Sequence, residues 1–277
     1  MRLDCAGRVL ELSEPAVMGV LNVTPDSFSD GGRFVDADAA LAQAERMAEE
    51  GAAIIDIGGE STRPGAAPVP ADEQLRRVLP VLERLGAAGL PALLSVDTSS
   101  AAVMRQAGAA GAHMINDVRA LRAPGALETA SQLRAAVCLV HMRGEPPDMQ
   151  REPRYEDVTR EVGAYLSERV QACLVAGIER TRLCLDPGFG FGKGPAHNLS
   201  LLRGLAALRG FGLPLAVGLS RKSLLQTLTG RAVGQRLAGS VALAVIAVLN
   251  GAHIVRAHDV AATVDAVRVA SAVARGA

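Results

Sequence analysis

Short apolar runs rich in β-branched residues recur eight times along this chain, and each run stops at a polar residue that could bind a ligand. Helical patterns separate the runs, so predicted strands alternate with predicted helices. The predicted strands span residues 17–21, 53–57, 92–96, 113–115, 136–140, 182–185, 215–219 and 252–255. Because strands that alternate with helices lie parallel, and eight such units need about 250 residues, the pattern predicts an α/β fold with one closed (β/α)8 TIM barrel.

The segments between the strands carry the start and stop signals of helices. Asp36-Ala37-Asp38 supplies a cap and an acidic first turn, and Gly51 ends that helix two residues before the next strand. Pro80 is expected to kink the second helix. The remaining helical patterns cover residues 72–85, 99–110, 125–133, 155–176, 199–208, 223–228 with 234–249, and 260–273. A doubly wound open sheet is the alternative, but polar residues follow nearly every strand rather than one switch point.

Two further segments bear on domain and subunit organisation. Residues 1–15 contain two short alternating runs around Ala6-Gly7-Arg8, which predicts an N-terminal β-hairpin closing the barrel bottom. No linker interrupts the pattern, so residues 1–277 are expected to form one domain. Residues 239–249 are apolar on all faces, whereas a barrel helix should turn one polar side to water. We therefore expect a homodimer through this helix and its neighbour; the alternative is a helix buried within its own chain.

Composition excludes several classes of function. Hydrophobic residues make up 49% and charged residues 21%, which is typical of a folded globular protein. The net charge is zero, so we expect neither a nucleic-acid nor a membrane partner. Residues 1–5 lack the apolar core of a signal peptide, and no apolar run approaches the ~20 residues of a membrane span, so a cytoplasmic location is expected. The four cysteines lack C-x-x-C spacing and are expected to be reduced.

The polar residues at the strand ends are the candidate site. They are Asn22, Asp56, Asp97, Asn116, His141, Asp186, the Ser220-Arg221-Lys222 cluster, and Arg256 with His258. In a parallel barrel the carboxyl ends of all strands meet at one face, so these side chains are expected to share one pocket. Any one of them could merely cap the next helix, but the whole set indicates a binding site. His141 and Lys193 are its weakest members, since an isolated buried histidine is usually structural.

Two loops add to this pocket. The loop over residues 22–32 is long and polar and ends in two glycines, which predicts a lid. Residues 186–194 are glycine-rich, but Pro187 and Gly194 break the phosphate-loop pattern at positions that require Gly and Ser or Thr. Three of the five phenylalanines lie in loops after strands and are expected to contact a flat ring: Phe28, Phe189 and Phe191.

The charges divide the expected pocket into an anionic end and a planar end. Cations that could converge on one anion are Arg63, Arg256 and His258. The helix that begins near Ser223 adds free N–H groups, which favour a carboxylate or phosphate. Residues that suit the donor-rich edge of a heterocycle are Asp97, Asn116 and Asp186. No H-x-H or H-E-x-x-H spacing supports a protein-bound zinc.

These segments resemble a known family. Residues 18–32, MGVLNVTPDSFSDGG, closely resemble the first signature of the bacterial dihydropteroate synthases. Further matching segments lie at residues 58–65, 95–98, 115–117, 186–193, 220–223 and 256–259. The resemblance runs from about Ala16 to the C-terminus, and the segments together are highly specific.

The resemblance implies a transferase of folate biosynthesis. The family joins p-aminobenzoate to 6-hydroxymethyl-7,8-dihydropterin diphosphate and releases 7,8-dihydropteroate and diphosphate, with Mg²⁺ bound to the diphosphate; it is the target of sulfonamides. The resemblance also implies a dissociative order, in which diphosphate leaves before the arylamine attacks.

Roles are carried over by motif position. The resemblance implies a pterin site of Asp97, Asn116, Asp186 and Lys222, and a diphosphate site of Arg63, Arg256 and His258. It implies a p-aminobenzoate site of Phe28, Thr62, Pro64, Phe191, Lys222 and Ser223, and a magnesium contact at Asn22. The expected catalytic residues are Lys222, Arg256, Asp97 and Asp186.

Two other functions remain open at this point. A methyltetrahydrofolate-binding methyltransferase domain shares the pterin-binding barrel but handles no diphosphate, and the cations at Arg63, 220–223 and 256–258 argue against it. A non-catalytic paralogue would act through its dimer surface. The intact loops disfavour that second alternative, because a decayed site should lose such elements first.

Overall fold

A computed structural model describes residues 1–23, 37–61 and 65–276. The strands are β1 (Arg2–Cys5), β2 (Arg8–Glu11), β3 (Ala16–Asn22), β4 (Ile54–Gly58), β5 (Leu93–Asp97), β6 (Met114–Asp117), β7 (Ala136–Val140), β8 (Leu183–Asp186), β9 (Ala216–Gly218) and β10 (Ile254–Ala257). The α-helices are α1 (Ala37–Glu49), α2 (Ala71–Ala88), α3 (Ala101–Ala109), α4 (Ala126–Gln132), α5 (Val158–Val175), α6 (Pro195–Arg203), α7 (Ser223–Thr229), α8 (Leu237–Leu249) and α9 (Val260–Arg275). Short 3-10 segments cover Arg180–Arg182, Leu205–Phe211 and Val233–Gln235.

Eight of the strands form one parallel barrel. Their order is β8-β7-β6-β5-β4-β3-β10-β9, and a parallel bridge between Leu185 and Leu215 joins the two ends. The Leu185 N–H donates to the Pro214 carbonyl across this seam at 2.9 Å. The closed barrel that the sequence predicts is therefore confirmed, and the open doubly wound alternative is wrong.

The element boundaries differ from the predicted ones where polar residues or tertiary contacts intervene. Asp97, Asp117 and Asp186 lie inside their strands rather than after them, because the backbone ladder continues past the last apolar residue. The single helix predicted over 199–208 is instead α6 followed by a 3-10 segment, with Gly204 between them. Helix α2 continues through Pro80 to its end, so the proline does not terminate it.

The N-terminal hairpin closes the bottom of the barrel, as predicted. Strands β1 and β2 pair antiparallel, and Leu3 and Cys5 are fully buried. They join a hydrophobic cluster with residues from the first positions of several barrel strands, including Ile54, Leu93, Met114, Ala136, Ala216 and Ile254. A larger cluster fills the layer between the strands and the helices. The hairpin therefore blocks this end of the barrel lumen.

Helix α8 is not buried on all sides by its own chain. Leu243, Ala244, Ala247 and Val248 pack inward, whereas Leu237, Ile246 and Leu249 are 46%, 43% and 50% exposed. The alternative of a helix covered entirely by its own chain is therefore wrong. Among the described residues, no helix has both the length and the apolar character needed to cross a membrane.

Candidate functional site

Four adjacent strands bring predicted site residues to one level of the barrel mouth. Asn22 pairs with Gly58, Gly58 with Asp97, and Asp97 with Asn116 in the register of β3 to β6. Gly58 keeps the space between them open, because a Cβ there would lie 3.6 Å from Asn22 Oδ1 and 3.8 Å from Asp97 Cβ. Register thus places an amide, a gap, a carboxylate and a second amide side by side.

Asp56 is the centre of the hydrogen-bond network below this level. Its fully buried carboxylate accepts hydrogen bonds from Ser95 Oγ at 2.6 Å, Asn116 Nδ2 at 3.0 Å and Arg256 Nε at 2.7 Å. Asp56 is a predicted strand end to which neither the residue pattern nor the family resemblance assigns a role. The signal that could have identified it is an acid within an otherwise apolar strand, two residues before Gly58 and so on the same face.

Arg256 lies between two carboxylates rather than alone. Its Nη2 donates to Asp97 Oδ2 at 3.0 Å while Nε engages Asp56, and its side chain is 23% exposed. Burial opposes the charge of Arg256, but Asp56 and Asp97 outweigh burial and raise its pKa above the usual value. Burial raises the pKa of Asp97 to about 7, with Arg256 opposing that shift and Asp56 reinforcing it. Arg256, which is predicted to bind the diphosphate, therefore also compensates the charge of Asp97, which is predicted to bind the pterin.

Asp186 and Lys222 form the opposite side of the cluster. Asp186 is buried, and its Oδ1 accepts a 2.7 Å hydrogen bond from the Gly188 N–H. Burial raises the pKa of Asp186, while the Gly188 hydrogen bond and Lys222 oppose the shift. Burial also lowers the pKa of Lys222 to about 8, helped by Arg256 and opposed by Asp186 and Asp97. Lys222 Nζ lies 4.3 Å from the centroid of the Phe191 ring, a cation–π distance.

The turn after β9 directs the side chains of Ser220, Arg221 and Lys222 to different partners. Arg221 has a left-handed φ of 57°, and its Nε donates to Asp259 Oδ2 at 3.0 Å, so it forms an ion pair with the residue before α9. Ser220 Oγ lies 3.0 Å from His258 Nδ1. Burial, with Arg256 and Arg221, lowers the pKa of His258 to about 4. His258, which the sequence predicts to be one of the cations, is therefore neutral at pH 7 without a bound anion.

The remaining predicted residues differ in where the structure places them. Ser223 begins α7 with an exposed side chain. Phe189 is 1% exposed within the hydrophobic core, so the expectation that it contacts a flat ligand is wrong. Four predicted residues lie outside the described residues: Phe28, Thr62, Arg63 and Pro64. Most of the predicted lid, residues 24–32, also lies outside them.

Comparisons with known proteins agree with this geometry. A family model described as "Pterin binding enzyme" matches residues 18–258. The dihydropteroate synthase of Escherichia coli (strain K12) is 52% identical over 272 residues, which cover 98% of this chain and 96% of that protein.

Solved structures match in three dimensions as well. The dihydropteroate synthase of Yersinia pestis in a sulfonamide drug complex aligns with a TM-score of 0.95 at 52% identity, covering 100% of each chain. The Xanthomonas albilineans enzyme in complex with 7,8-dihydropteroate aligns with a TM-score of 0.86 at 50% identity, covering 98% of each chain.

The Asp56 network generates a prediction about stability. Asp56→Asn keeps the shape of the side chain but removes a buried charge partner of Arg256, so we expect a loss of about 3 kcal/mol in the free energy of unfolding. The measurement is urea unfolding followed by circular dichroism. The matched control is Glu11→Gln, which removes the exposed ion pair with Arg2 and should change stability by less than about 1 kcal/mol. Equal small losses in both variants would contradict a structural role for Asp56.

Proposed function

The chain belongs to the dihydropteroate synthase family of pterin-binding enzymes, and from that premise we propose that it condenses 6-hydroxymethyl-7,8-dihydropterin diphosphate with p-aminobenzoate. The products of this transferase reaction are 7,8-dihydropteroate and diphosphate. The observation that carries the proposal is the strand-end cluster, in which Asp97, Asn116 and Asp186 share a buried space with two cations, Lys222 and Arg256. Sulfonamides, which the Yersinia pestis structure contains, are the inhibitors expected at the same site.

The acids and the amide suit one edge of the pterin ring. That edge carries N–H donors, and the buried carboxylates of Asp97 and Asp186 are acceptors. A buried acceptor without a donor is costly, so ring N–H groups would replace lost hydration. Asn116 can both donate and accept, and its donor side is already fixed by Asp56.

The cations suit the leaving group. In the dissociative order, the bond between the methylene carbon and the diphosphate oxygen breaks first, and its electron pair leaves with the diphosphate. The pterin ring shares the resulting positive charge, which the neighbouring carboxylates stabilise, while Arg256 and His258 with Arg63 hold the diphosphate. The amine of p-aminobenzoate then forms the new C–N bond and loses a proton. An arylamine is neutral at pH 7, so the attack needs no strong general base.

The second substrate is assigned to the Lys222 side of the pocket. We place the aryl ring of p-aminobenzoate against Phe191, with its carboxylate near Lys222 and the start of α7 at Ser223. Lys222 and Phe191 already contact each other there. Phe28, Thr62 and Pro64 complete this site in the proposal.

Mg²⁺ is proposed to accompany the diphosphate, with Asn22 as the protein contact. Asn22 ends β3 at the barrel mouth, and its Oδ1 points toward the gap that Gly58 leaves beside Asp97. Mg²⁺ prefers oxygen ligands and commonly binds through substrate phosphates and water with few protein groups, so a single amide oxygen fits this chemistry. The bound ion would neutralise charge on the departing diphosphate.

The decisive test is release of diphosphate when both substrates and Mg²⁺ are supplied. Lys222→Ala and Arg256→Ala are each expected to lose at least ~100-fold in rate, the scale for removing a charge partner of the transition state. Arg154→Ala, which changes an exposed ion pair with Glu152, is the control and should retain the wild-type rate. Near-normal rates in Lys222→Ala and Arg256→Ala would refute their roles. No release by the wild-type protein would favour the non-catalytic alternative.

The raised pKa of Asp97 predicts a pH dependence of pterin binding. Below about pH 7 the free protein carries a proton on Asp97, and this proton must leave before the carboxylate can accept ring N–H groups. The dissociation constant of 6-hydroxymethyl-7,8-dihydropterin should therefore rise as pH falls below 7, by up to about tenfold per pH unit. This ligand lacks the diphosphate, whose own titration would obscure the effect. Asp97→Asn should bind weakly without the dependence near pH 7, and a flat wild-type profile would contradict the assignment.

We also propose a homodimer through α8 and its neighbour α9. The outer face of α8 presents Ile246 and Leu249, and α9 adds Val269 and Val273, which are 64% and 68% exposed. Burying such a face stabilises association in proportion to its apolar area.

We also propose a cytoplasmic location, because all four cysteines are free thiols.

The dimer proposal predicts that Ile246→Glu yields a monomer, because a charge would enter an apolar interface. Sedimentation velocity measures the outcome directly. Val175→Glu is the matched control, since Val175 is 89% exposed on α5, away from α8 and α9, and its substitution should leave the dimer intact. A monomeric wild-type protein would refute the proposal.

A further inference from the structure

Lys193 is a buried lysine to which the proposed reaction assigns no role. Its side chain is 2% exposed, and Nζ lies 2.8 Å from His141 Nδ1, 2.9 Å from the Gly188 carbonyl and 3.1 Å from the Phe191 carbonyl. An ammonium group has three hydrogens, and these three acceptors match them one to one. The lysine is therefore held in place at every donor position.

His141 completes this arrangement as a neutral ring. Burial lowers the pKa of His141 to about 2, with Lys193 contributing, so the ring carries no charge. Burial likewise lowers the pKa of Lys193, and Asp186 opposes that shift. With its proton on Nε2, His141 accepts from the ammonium; with its proton on Nδ1, it donates to the neutral amine. The contact is satisfied in both arrangements.

Hydrogen bonds connect Lys193 and His141 to Asp186. The Gly188 carbonyl accepts from Lys193, and the Gly188 N–H donates to Asp186 Oδ1 at 2.7 Å. The backbone N–H of His141 also donates to the backbone carbonyl of Asp186 at 2.9 Å. A Cβ on Gly188 would lie 1.8 Å from the His141 carbonyl oxygen, so this turn is pressed against the end of β7. Lys193 and His141 therefore fix the residue that orients the Asp186 carboxylate.

Hydrogen bonds also connect Lys193 to Phe191. Its carbonyl accepts from Lys193, and its N–H donates to the Gly188 carbonyl at 3.1 Å. The ring of the same residue contacts the Lys222 ammonium. The buried amine of Lys193 is thus connected both to Asp186, which is assigned to the pterin, and to Phe191, which is assigned to p-aminobenzoate.

We propose that Lys193 and His141 are positioning residues, which act as a pair to hold the Asp186 carboxylate and the Phe191 ring in place for the two substrates. The proposal rests on the proposed function for the identity of these ligands. Neither residue needs to touch a substrate. Their contribution is the fixed geometry of residues 186–191, in which Lys193 Nζ donates to the carbonyls of Gly188 and Phe191.

The test compares substitutions that differ only in hydrogen bonding. His141→Leu removes the Nδ1 partner of Lys193, whereas His141→Asn places an amide near the Nδ1 position that can accept or donate. His141→Leu and Lys193→Met are expected to raise the dissociation constant of 6-hydroxymethyl-7,8-dihydropterin and the KM for p-aminobenzoate about tenfold, because misplaced groups bind poorly. His141→Asn should recover most of both losses, and kcat should fall less than either binding constant changes.

A control separates positioning from general stability. Arg169 is another buried cation that donates to a backbone carbonyl, that of Ala120, and it lies on α5 outside the cluster. Arg169→Met should lower Tm but leave both ligand constants at wild-type values. The proposal is overturned if Lys193→Met behaves like Arg169→Met, or if His141→Asn is as impaired as His141→Leu. Should Lys193→Met not fold, the two His141 variants still decide.

The readouts also separate this inference from the proposed function. The pterin dissociation constant is measured by titration without turnover. If the wild-type protein binds the pterin but releases no diphosphate, the proposed reaction fails, and the pair is still judged by the pterin constants of the His141 variants.

Discussion

Mutual compensation of charge at the carboxyl ends of the barrel strands is the constraint on which this site depends. Three carboxylates and two cations meet there: Asp56, Asp97 and Asp186 with Arg256 and Lys222. An uncompensated charge in such a place costs several kcal/mol, so each group can be retained only with its partners. The closed barrel supplies the proximity, because Asp56 and Arg256 are 200 residues apart in the chain and contact each other at 2.7 Å.

The compensation is uneven, and the unevenness has chemical consequences. Burial raises the pKa of Asp97 to about 7, and Arg256, which also serves Asp56, offsets that rise only in part. Lys222 lies near Arg256, and burial and Arg256 lower its pKa to about 8. A ligand that brings N–H donors to Asp97 and an anion to the cations would complete both sets of interactions. Preorganised but incompletely matched charges of this kind favour a substrate that separates positive from negative charge as it reacts.

Local sequence patterns predicted the barrel because alternation of strand and helix periods is a short-range property. They also predicted that Asp97, Asn116, Asp186, Lys222 and Arg256 share one pocket, since parallel strand ends converge. They could not predict that Asp56 orients Asn116 and Arg256, because that network joins β4, β5, β6 and β10 through side-chain contacts. Phe189 was wrongly assigned to the ligand for a similar reason: its loop folds back, and the ring enters the core.

The glycines of residues 186–194 are explained by the backbone that lies against them. The sequence excludes a phosphate loop but does not explain why this segment is rich in glycine. In the structure, a Cβ on Gly188 or Gly192 would lie 1.8 Å and 2.1 Å from the carbonyl oxygens of His141 and Arg143. The glycines therefore permit the segment to lie directly on the backbone that follows β7, where Lys193 can reach inward to His141. The close backbone approach and the buried amine act together to hold Asp186 and Phe191 in place.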